Sequence, residues 1–166
     1  MRTGVALGAN LGDRLATLRA ARGRIEGLRD LAGPWFSSAI YETEPVGCEH
    51  GAHAFLNACV EFEFEGEPQI LLDQLRAIEA TFGRGLLHLP NESRTIDLDL
   101  LYCGERRSAA AGLELPHPRL AQRRFVLQPL ADIRPDLILP GQSNSIAELL
   151  ANLPSAPVVV RFREQW

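Results

Sequence analysis

The 166-residue sequence contains no lysine, so all 17 of its basic side chains are arginines. This absence excludes nucleotide binding through a Walker A lysine, protein-kinase phosphotransfer and catalysis through a lysine Schiff base. A bound phosphate group would have to be held by guanidinium groups, by a metal ion or by backbone N–H groups. The net charge of −4 argues in addition against a general nucleic-acid-binding protein.

Cysteine is scarce as well, and no apolar run approaches the ~20 residues that span a membrane. The three cysteines, Cys48, Cys59 and Cys103, are odd in number and widely spaced, so the sequence offers no disulfide framework. Together with the lack of a recognisable signal peptide, this predicts a cytoplasmic protein without a membrane segment. The length suits one domain over residues 1–166, which we expect to be a monomer or a weak homo-oligomer.

Hydrophobic periodicity predicts strands that alternate with helices. Strands are indicated over 3–8, 35–43, 55–65 and 95–102, and amphipathic helices over 13–27 and 68–82. Short helices near 123–131 and 145–153 and an extended stretch at 158–162 follow. The order β-α-β-β-α-β with a C-terminal helical annex predicts an α+β fold of the ferredoxin-like type, in which two helices cross one face of an antiparallel sheet.

The segment 94–102, which reads RTIDLDLLY, alternates as a strand does. One face would carry Thr95, Asp97, Asp99 and Leu101, and the other Ile96, Leu98, Leu100 and Tyr102. Two carboxylates roughly 6–7 Å apart on one face can share one divalent cation or bridge two, and Mg²⁺ prefers such oxygen ligands. The alternative is an edge strand with two solvated acids that resists aggregation, and the strand alone does not decide between them.

Arginines are concentrated around this strand. Arg84 and Arg94 precede it, and five more follow it: Arg106, Arg107, Arg119, Arg123 and Arg124. A local positive region in an acidic protein fits an oligophosphate better than DNA. This positive region would supply the minimal groups for phosphoryl transfer together with a metal ion at the aspartates. His117, which lies between two prolines, could add a hydrogen bond to a phosphate oxygen.

Two other patterns have simpler interpretations. The spacing of Cys48, His50 and His53 offers zinc ligands, but no fourth ligand lies within sequence reach, so a polar loop is favoured. Arg76 and Glu79, one helical turn apart and off the predicted apolar stripe, are expected to form a surface ion pair.

Six segments, taken in order, resemble the motifs of the 6-hydroxymethyl-7,8-dihydropterin pyrophosphokinases, enzymes of the folate pathway. They read ALGANLGDR (6–14), YETEPVG and FLNA (41–47 and 55–58), RTIDLD (94–99), PHPR (116–119) and RRFVLQPL (123–130). The resemblance covers nearly the whole chain, and the ferredoxin-like fold of the family agrees with the predicted element order. It implies transfer of pyrophosphate from ATP to 6-hydroxymethyl-7,8-dihydropterin with release of AMP.

The resemblance also implies a role for each matching residue. Asp97 and Asp99 would hold two Mg²⁺ ions with the phosphates of ATP, and Arg84 and Arg94 would steady the transferred group. The nucleotide site would be lined by Arg76, Glu79, Arg84, Leu100, His117 and Arg123. The pterin would be enclosed by Phe55 and Phe125 and bound along its polar edge by Thr43, Pro45, Val46 and Asn57.

The sequence departs from the family pattern just before the aspartates. There the family usually reads RWGPR, whereas residues 90–94 read PNESR, which places Asn91 at the tryptophan position after Pro90. Leu86 replaces an arginine, and Pro118 replaces a frequent tyrosine. In the family this loop closes over bound ligands, so we expect weaker closure with catalysis retained.

Other functions are compatible with the same residues. The chain could be a pyrophosphokinase for a different hydroxymethyl heterocycle, or a non-catalytic ferredoxin-like module that binds a nucleotide or a pterin. The second is disfavoured because a sensor need not keep two carboxylates and two arginines together. A metal-dependent sugar transferase would need a larger nucleotide-sugar domain than 166 residues provide.

Overall fold

A computed structural model describes residues 1–44, 53–83 and 95–166 of the chain. Its strands are β1 (Arg2–Ala9), β2 (Leu31–Ser37), β3 (Ile40–Thr43), β4 (Phe55–Phe64), β5 (Asp97–Cys103), β6 (Ser108–Ala110), β7 (Leu113–Leu115) and β8 (Val159–Arg163). Its helices are α1 (Arg14–Glu26), α2 (Pro68–Thr81), α3 (Arg124–Ile133) and α4 (Ile146–Asn152), with a 3₁₀ turn at Leu120–Gln122. None of the helices in these ranges is long and apolar enough to cross a membrane.

The strands form a six-stranded sheet in the order β5-β1-β4-β3-β8, in which β2 also pairs with β4, and a separate β6-β7 hairpin. Neighbouring strands pair antiparallel. The sheet and its helices make an α+β fold, as predicted. The central position of β1, between β4 and β5, brings the end of the first strand next to the aspartate strand.

The sheet carries an apolar core on each face. On one face α1 and α2 pack against β1 and β4, with Leu18, Leu71 and Phe62 among the fully buried side chains. On the other face α3 and α4 cover the sheet around Cys59 and Leu127. The strict alternation predicted for β4 is confirmed, because its odd-numbered and even-numbered residues serve different faces.

Capping residues set the ends of the helices. The Asp13 side chain accepts a hydrogen bond from the Ala16 N–H at 3.0 Å, and Gly27 ends α1, as the sequence predicts. Pro68 lies in the first turn of α2, where its missing N–H is not needed. Ser145 and Glu148 form a reciprocal capping box at the start of α4.

Three details of the sheet differ from the prediction. The stretch 35–43 is two strands, because at Ser38 the Cys59 N–H donates to the side-chain hydroxyl at 2.9 Å, although the Ser38 N–H still donates to the Cys59 carbonyl. A β-bulge between β1 and β5 pairs Val5 with Leu100 and Gly4 with Tyr102. Tyr102 therefore points to the same face as the residue before it, and not opposite to it. The β6-β7 hairpin was not predicted.

The bulge leads to a prediction about Gly4. A Cβ atom at this position would lie 2.7 Å from Cζ of Tyr102, a buried ring whose hydroxyl donates to Glu61. We expect Gly4→Ala to lower the free energy of unfolding by about 2 kcal/mol, because the ring has no room to move. Gly23→Ala is the matched control, since a Cβ atom there meets nothing within 4 Å in the described residues, and it should stabilise α1 by up to about 1 kcal/mol. Urea denaturation of both variants measures the difference, and equal effects would contradict the packing argument.

Candidate active site

A row of paired residues crosses the sheet at the end of β1. Gly8 pairs with Asp97 of β5 on one side and with Asn57 of β4 on the other, and Asn57 pairs with Tyr41 of β3. Because adjacent strands are about 4.8 Å apart, the backbones at Asp97 and Asn57 are roughly 10 Å apart. Gly8 contributes no side chain to the space between them, so the Asp97 and Asn57 side chains share one face of the sheet with the Gly8 backbone between them.

Asp99 lies at the centre of a charged cluster on the same face. Its Oδ2 atom is 2.9 Å from Nη1 of Arg123 and 3.8 Å from Nε2 of His117. The Arg123 guanidinium lies 5.5 Å from the ring centroid of Phe125, which lies in the first turn of α3. The structure thus brings together four residues to which the family resemblance gives different roles: a metal ligand, two nucleotide ligands and a pterin-side aromatic ring.

His117 presents an N–H group to this cluster. Its Nδ1 atom accepts a hydrogen bond from the Arg119 backbone N–H at 3.2 Å, which places the proton of a neutral ring on Nε2. Burial lowers the pKa of His117; the Asp99 carboxylate opposes this shift, and the guanidinium groups of Arg123 and Arg119 add to it. A neutral ring at pH 7 therefore offers an Nε2–H donor on the side of Asp99.

The residues assigned to the pterin lie together on β3 and β4. Thr43 pairs with Phe55, and the Asn57 Nδ2 group donates a hydrogen bond of 2.9 Å to the Thr43 hydroxyl. The side chains at 43, 55 and 57 share one face of the sheet by strand alternation, and this is the face that α3 covers with Phe125 at its first turn. Asn57 and Thr43 are buried, whereas Phe55 and Phe125 are half-buried.

Glu79 is not on the surface, so the surface ion pair predicted for Arg76 and Glu79 is wrong. The Glu79 side chain is 3% exposed, and its Oε1 atom accepts a hydrogen bond of 2.8 Å from the Leu98 N–H. Glu79 thus accepts a hydrogen bond from the edge strand β5, at the residue between Asp97 and Asp99. Arg76 instead donates to the Gly112 carbonyl at 3.2 Å and lies 3.6 Å from Asp73. The sequence did contain a signal, because Glu79 is four residues after a buried leucine of the same helix.

Other residues that the sequence analysis singled out make their contacts outside the cluster around Asp99. Leu100 is buried in the apolar core under α1 and α2, so only its backbone can line a nucleotide site. Arg124 donates hydrogen bonds to the carbonyls of Leu150, Leu153 and Pro154 at the end of α4, away from Asp99. Arg106 lies 3.6 Å from Glu67. The predicted positive region is therefore smaller than the sequence suggested.

Some predictions fall on residues that the structure does not describe. These are Pro45 and Val46 of the pterin side, Arg84 and Arg94 of the catalytic set, Cys48 and His50 of the zinc alternative, and the departures from the family pattern at residues 86, 90 and 91.

The chemistry of the donors fits a hard divalent cation such as Mg²⁺. Among residues 1–44, 53–83 and 95–166 there is no group of three or more histidine, cysteine, aspartate or glutamate side chains that could hold a metal ion. Mg²⁺ is commonly bound by one or two carboxylates together with substrate phosphates and water, which is what Asp97 and Asp99 can offer. Structural zinc needs four protein ligands, and these two residues do not provide them.

Comparison with known proteins decides the family. The family described as 7,8-dihydro-6-hydroxymethylpterin-pyrophosphokinase (HPPK) matches residues 4–135. The chain belongs to the HPPK family. It is 42% identical to a 2-amino-4-hydroxy-6-hydroxymethyldihydropteridine pyrophosphokinase of Porphyromonas gingivalis, over 79% of this chain and 89% of that protein. It is 40% identical to the Bacillus subtilis protein of the same name, over 78% of this chain and 75% of that protein.

Solved structures share the fold of this HPPK chain. The wild-type HPPK-DHPS of Plasmodium falciparum, solved with pteroate, superposes with a TM-score of 0.66 over 90% of this chain at 14% sequence identity. An HPPK-DHPS in complex with substrates gives the same TM-score at 15% identity. The chain spans 42% and 43% of the length of those two larger proteins. The likeness therefore concerns the fold of one part of them.

Proposed function

We propose that this HPPK-family chain transfers the pyrophosphoryl group of ATP to the hydroxymethyl group of 6-hydroxymethyl-7,8-dihydropterin, a step of folate biosynthesis, and releases AMP. The observation that carries the proposal is the row Asp97, Gly8 and Asn57. It sets a carboxylate suited to Mg²⁺ and phosphate and an amide suited to the edge of a pterin on one face of the sheet, at positions whose backbones are roughly 10 Å apart with the Gly8 backbone between them. That separation leaves room for a substrate hydroxyl to meet a nucleotide phosphate.

The pterin side of the site would bind and orient the acceptor. Asn57 and Thr43, with Pro45 and Val46, would match the donors and acceptors of the pterin edge. Phe55 and Phe125 would cover the flat faces of the ring and exclude water from it. In this arrangement the hydroxymethyl group would point toward Asp97. Its oxygen would form a bond to the β-phosphorus of ATP and lose its proton to solvent, while the bond from that phosphorus to the oxygen bridging to the α-phosphate breaks and AMP leaves with the electron pair of that bond.

The nucleotide side would hold the phosphates in line with that oxygen. Asp97 and Asp99 would hold two Mg²⁺ ions, which supply charge neutralisation at the phosphate oxygens when bound. Arg123 would exchange its contact with Asp99 for a phosphate oxygen, and the Nε2–H group of His117 would donate to another. Arg84 and Arg94 would neutralise charge on the transferred group. Arg76, Glu79 and the backbone at Leu100 would line the rest of the nucleotide site.

The proposal also includes the topology of the core and the extent of the domain. The strand connectivity β1-α1-β2/β3-β4-α2-β5 with β1 central is compatible with a ferredoxin-like core, to which α3, α4 and β8 are added. We take residues 1–166 as one pyrophosphokinase domain. The oligomeric state, the cytoplasmic location and the lack of nucleic-acid binding stay predictions.

The test is AMP release by the purified protein. With ATP, Mg²⁺ and 6-hydroxymethyl-7,8-dihydropterin we expect turnover that is lost in excess EDTA and restored by Mg²⁺. Turnover that persists in EDTA would contradict the assignment of Asp97 and Asp99. Faster turnover with a different hydroxymethyl heterocycle would identify the alternative substrate. Metal-independent ATP binding without turnover, measured by calorimetry, would identify a non-catalytic module.

A further inference from the structure

We infer that Arg14 is a positioning residue for the pterin-binding ends of β3 and β4. It contacts both strand ends from the face of the sheet opposite to the substrate and holds them next to each other. The inference rests on the proposed function, since it concerns the acceptor side of that same site. It adds a residue for which neither the phosphate chemistry nor the pterin contacts provide a role.

The contacts of Arg14 define this role. Its Nη1 group donates a hydrogen bond of 2.8 Å to Oε1 of Glu42 on β3 and another of 2.6 Å to the carbonyl oxygen of Ala54 at the start of β4. The Arg14 side chain is 25% exposed, so this ion pair is partly shielded from water. One guanidinium group thus joins two strands through a side chain and a backbone carbonyl.

Both acceptors are direct neighbours of residues assigned to the pterin. Glu42 precedes Thr43, and Ala54 precedes Phe55. Thr43 and Phe55 are the final paired residues of the β3-β4 ladder, and Thr43 in turn accepts the hydrogen bond from Asn57. Successive side chains of a strand point to opposite faces, so Glu42 reaches Arg14 on one face while its neighbour faces the substrate on the other.

The position of Arg14 is itself well fixed. It is the first residue of α1, directly after the N-cap Asp13, and the helix is anchored by the fully buried Leu18, Ala21 and Ile25. A rigid helix start therefore holds the guanidinium against the end of the β3-β4 ladder. Both bonds come from the one Nη1 atom, so a lysine ammonium, which also has several N–H donors, could keep part of this link, with less fixed geometry than a planar guanidinium.

The test separates substrate positioning from general stability. We expect Arg14→Met to raise the KM for 6-hydroxymethyl-7,8-dihydropterin about tenfold, with kcat and the KM for ATP within about twofold of wild type. Arg14→Lys should restore part of the pterin KM, and Glu42→Gln should raise it by a smaller factor than Arg14→Met. The matched control is Arg19→Met, an exposed arginine of the same helix, which should leave all three constants unchanged.

Each outcome has a defined meaning. An unchanged pterin KM in Arg14→Met, with active wild type, overturns the positioning role and leaves the proposed function intact. A parallel loss in kcat and in both KM values, accompanied by a lower melting temperature, would show a purely structural role and also overturn the inference. Absence of turnover in wild type and in Arg19→Met would overturn the proposed function, and the inference with it.

Discussion

Replacing Asp97 by asparagine is expected to lower kcat by about a thousandfold without loss of the fold. Asp97 pairs with Gly8 in the register of the sheet and lies on the same face of β5 as Asp99. The substitution keeps the size of the side chain but removes a negative charge, so binding of a cation at the transferred phosphate weakens. Charge stabilisation of that kind is worth several kcal/mol in phosphoryl transfer, which corresponds to about 10³ in rate.

The control for this substitution is Asp136→Asn, an exposed aspartate that follows α3 and lies outside the site. It removes the same charge and should keep wild-type kcat. Circular dichroism and melting temperature of both variants show whether the fold is intact. If Asp97→Asn retains wild-type turnover, the carboxylate does not serve the reaction. The alternative, in which Asp97 and Asp99 are solvated acids on an edge strand, then gains support.

Replacing Asn57 by alanine is expected to act on the acceptor side instead. We expect kcat/KM for 6-hydroxymethyl-7,8-dihydropterin to fall about a hundredfold, mostly through KM, with the KM for ATP unchanged. Asn57 is 6% exposed, and its amide donates to Thr43, so the amide oxygen is left to face the space above Gly8. Removing it leaves polar groups of the bound pterin without partners, and a site built to hydrogen-bond a substrate loses affinity steeply when a partner is missing.

The matched control is Asn152→Ala at the exposed end of α4. Steady-state kinetics with each substrate varied in turn measure both variants. A fall in kcat with both KM values unchanged would place Asn57 on the phosphate side of the site and contradict the assignment. Together with Asp97→Asn, this pair of variants tests whether the two ends of the row Asp97, Gly8 and Asn57 have separate tasks.

Local patterns were sufficient for most of the fold. The apolar repeat and the cap at Asp13 predicted α1, and the alternation of β4 predicted which of its residues face each layer. These signals are strong because neighbouring residues alone produce them. The sharing of one sheet face by the two aspartates also followed from alternation alone, and Asp99 makes its contacts on that face.

What the sequence could not predict depends on contacts between distant residues. The bulge at Leu101 turns Tyr102 toward Glu61, and it exists because Gly4 leaves room for the ring. The burial of Glu79 depends on its hydrogen bond from the Leu98 N–H, which forms only because α2 lies beside β5. The role of Arg14 likewise needs the ends of two strands to meet. Patterns among neighbouring residues of the sequence do not contain this information, because these contacts depend on strand order and register.

The most direct test of pyrophosphoryl transfer is to identify the products by ³¹P NMR during turnover of the wild-type protein. With ATP, Mg²⁺ and 6-hydroxymethyl-7,8-dihydropterin, the account predicts AMP and the pterin diphosphate in equal amounts, without ADP. Formation of ADP with a pterin monophosphate would contradict pyrophosphoryl transfer. AMP with free pyrophosphate and unchanged pterin would contradict the pterin as acceptor.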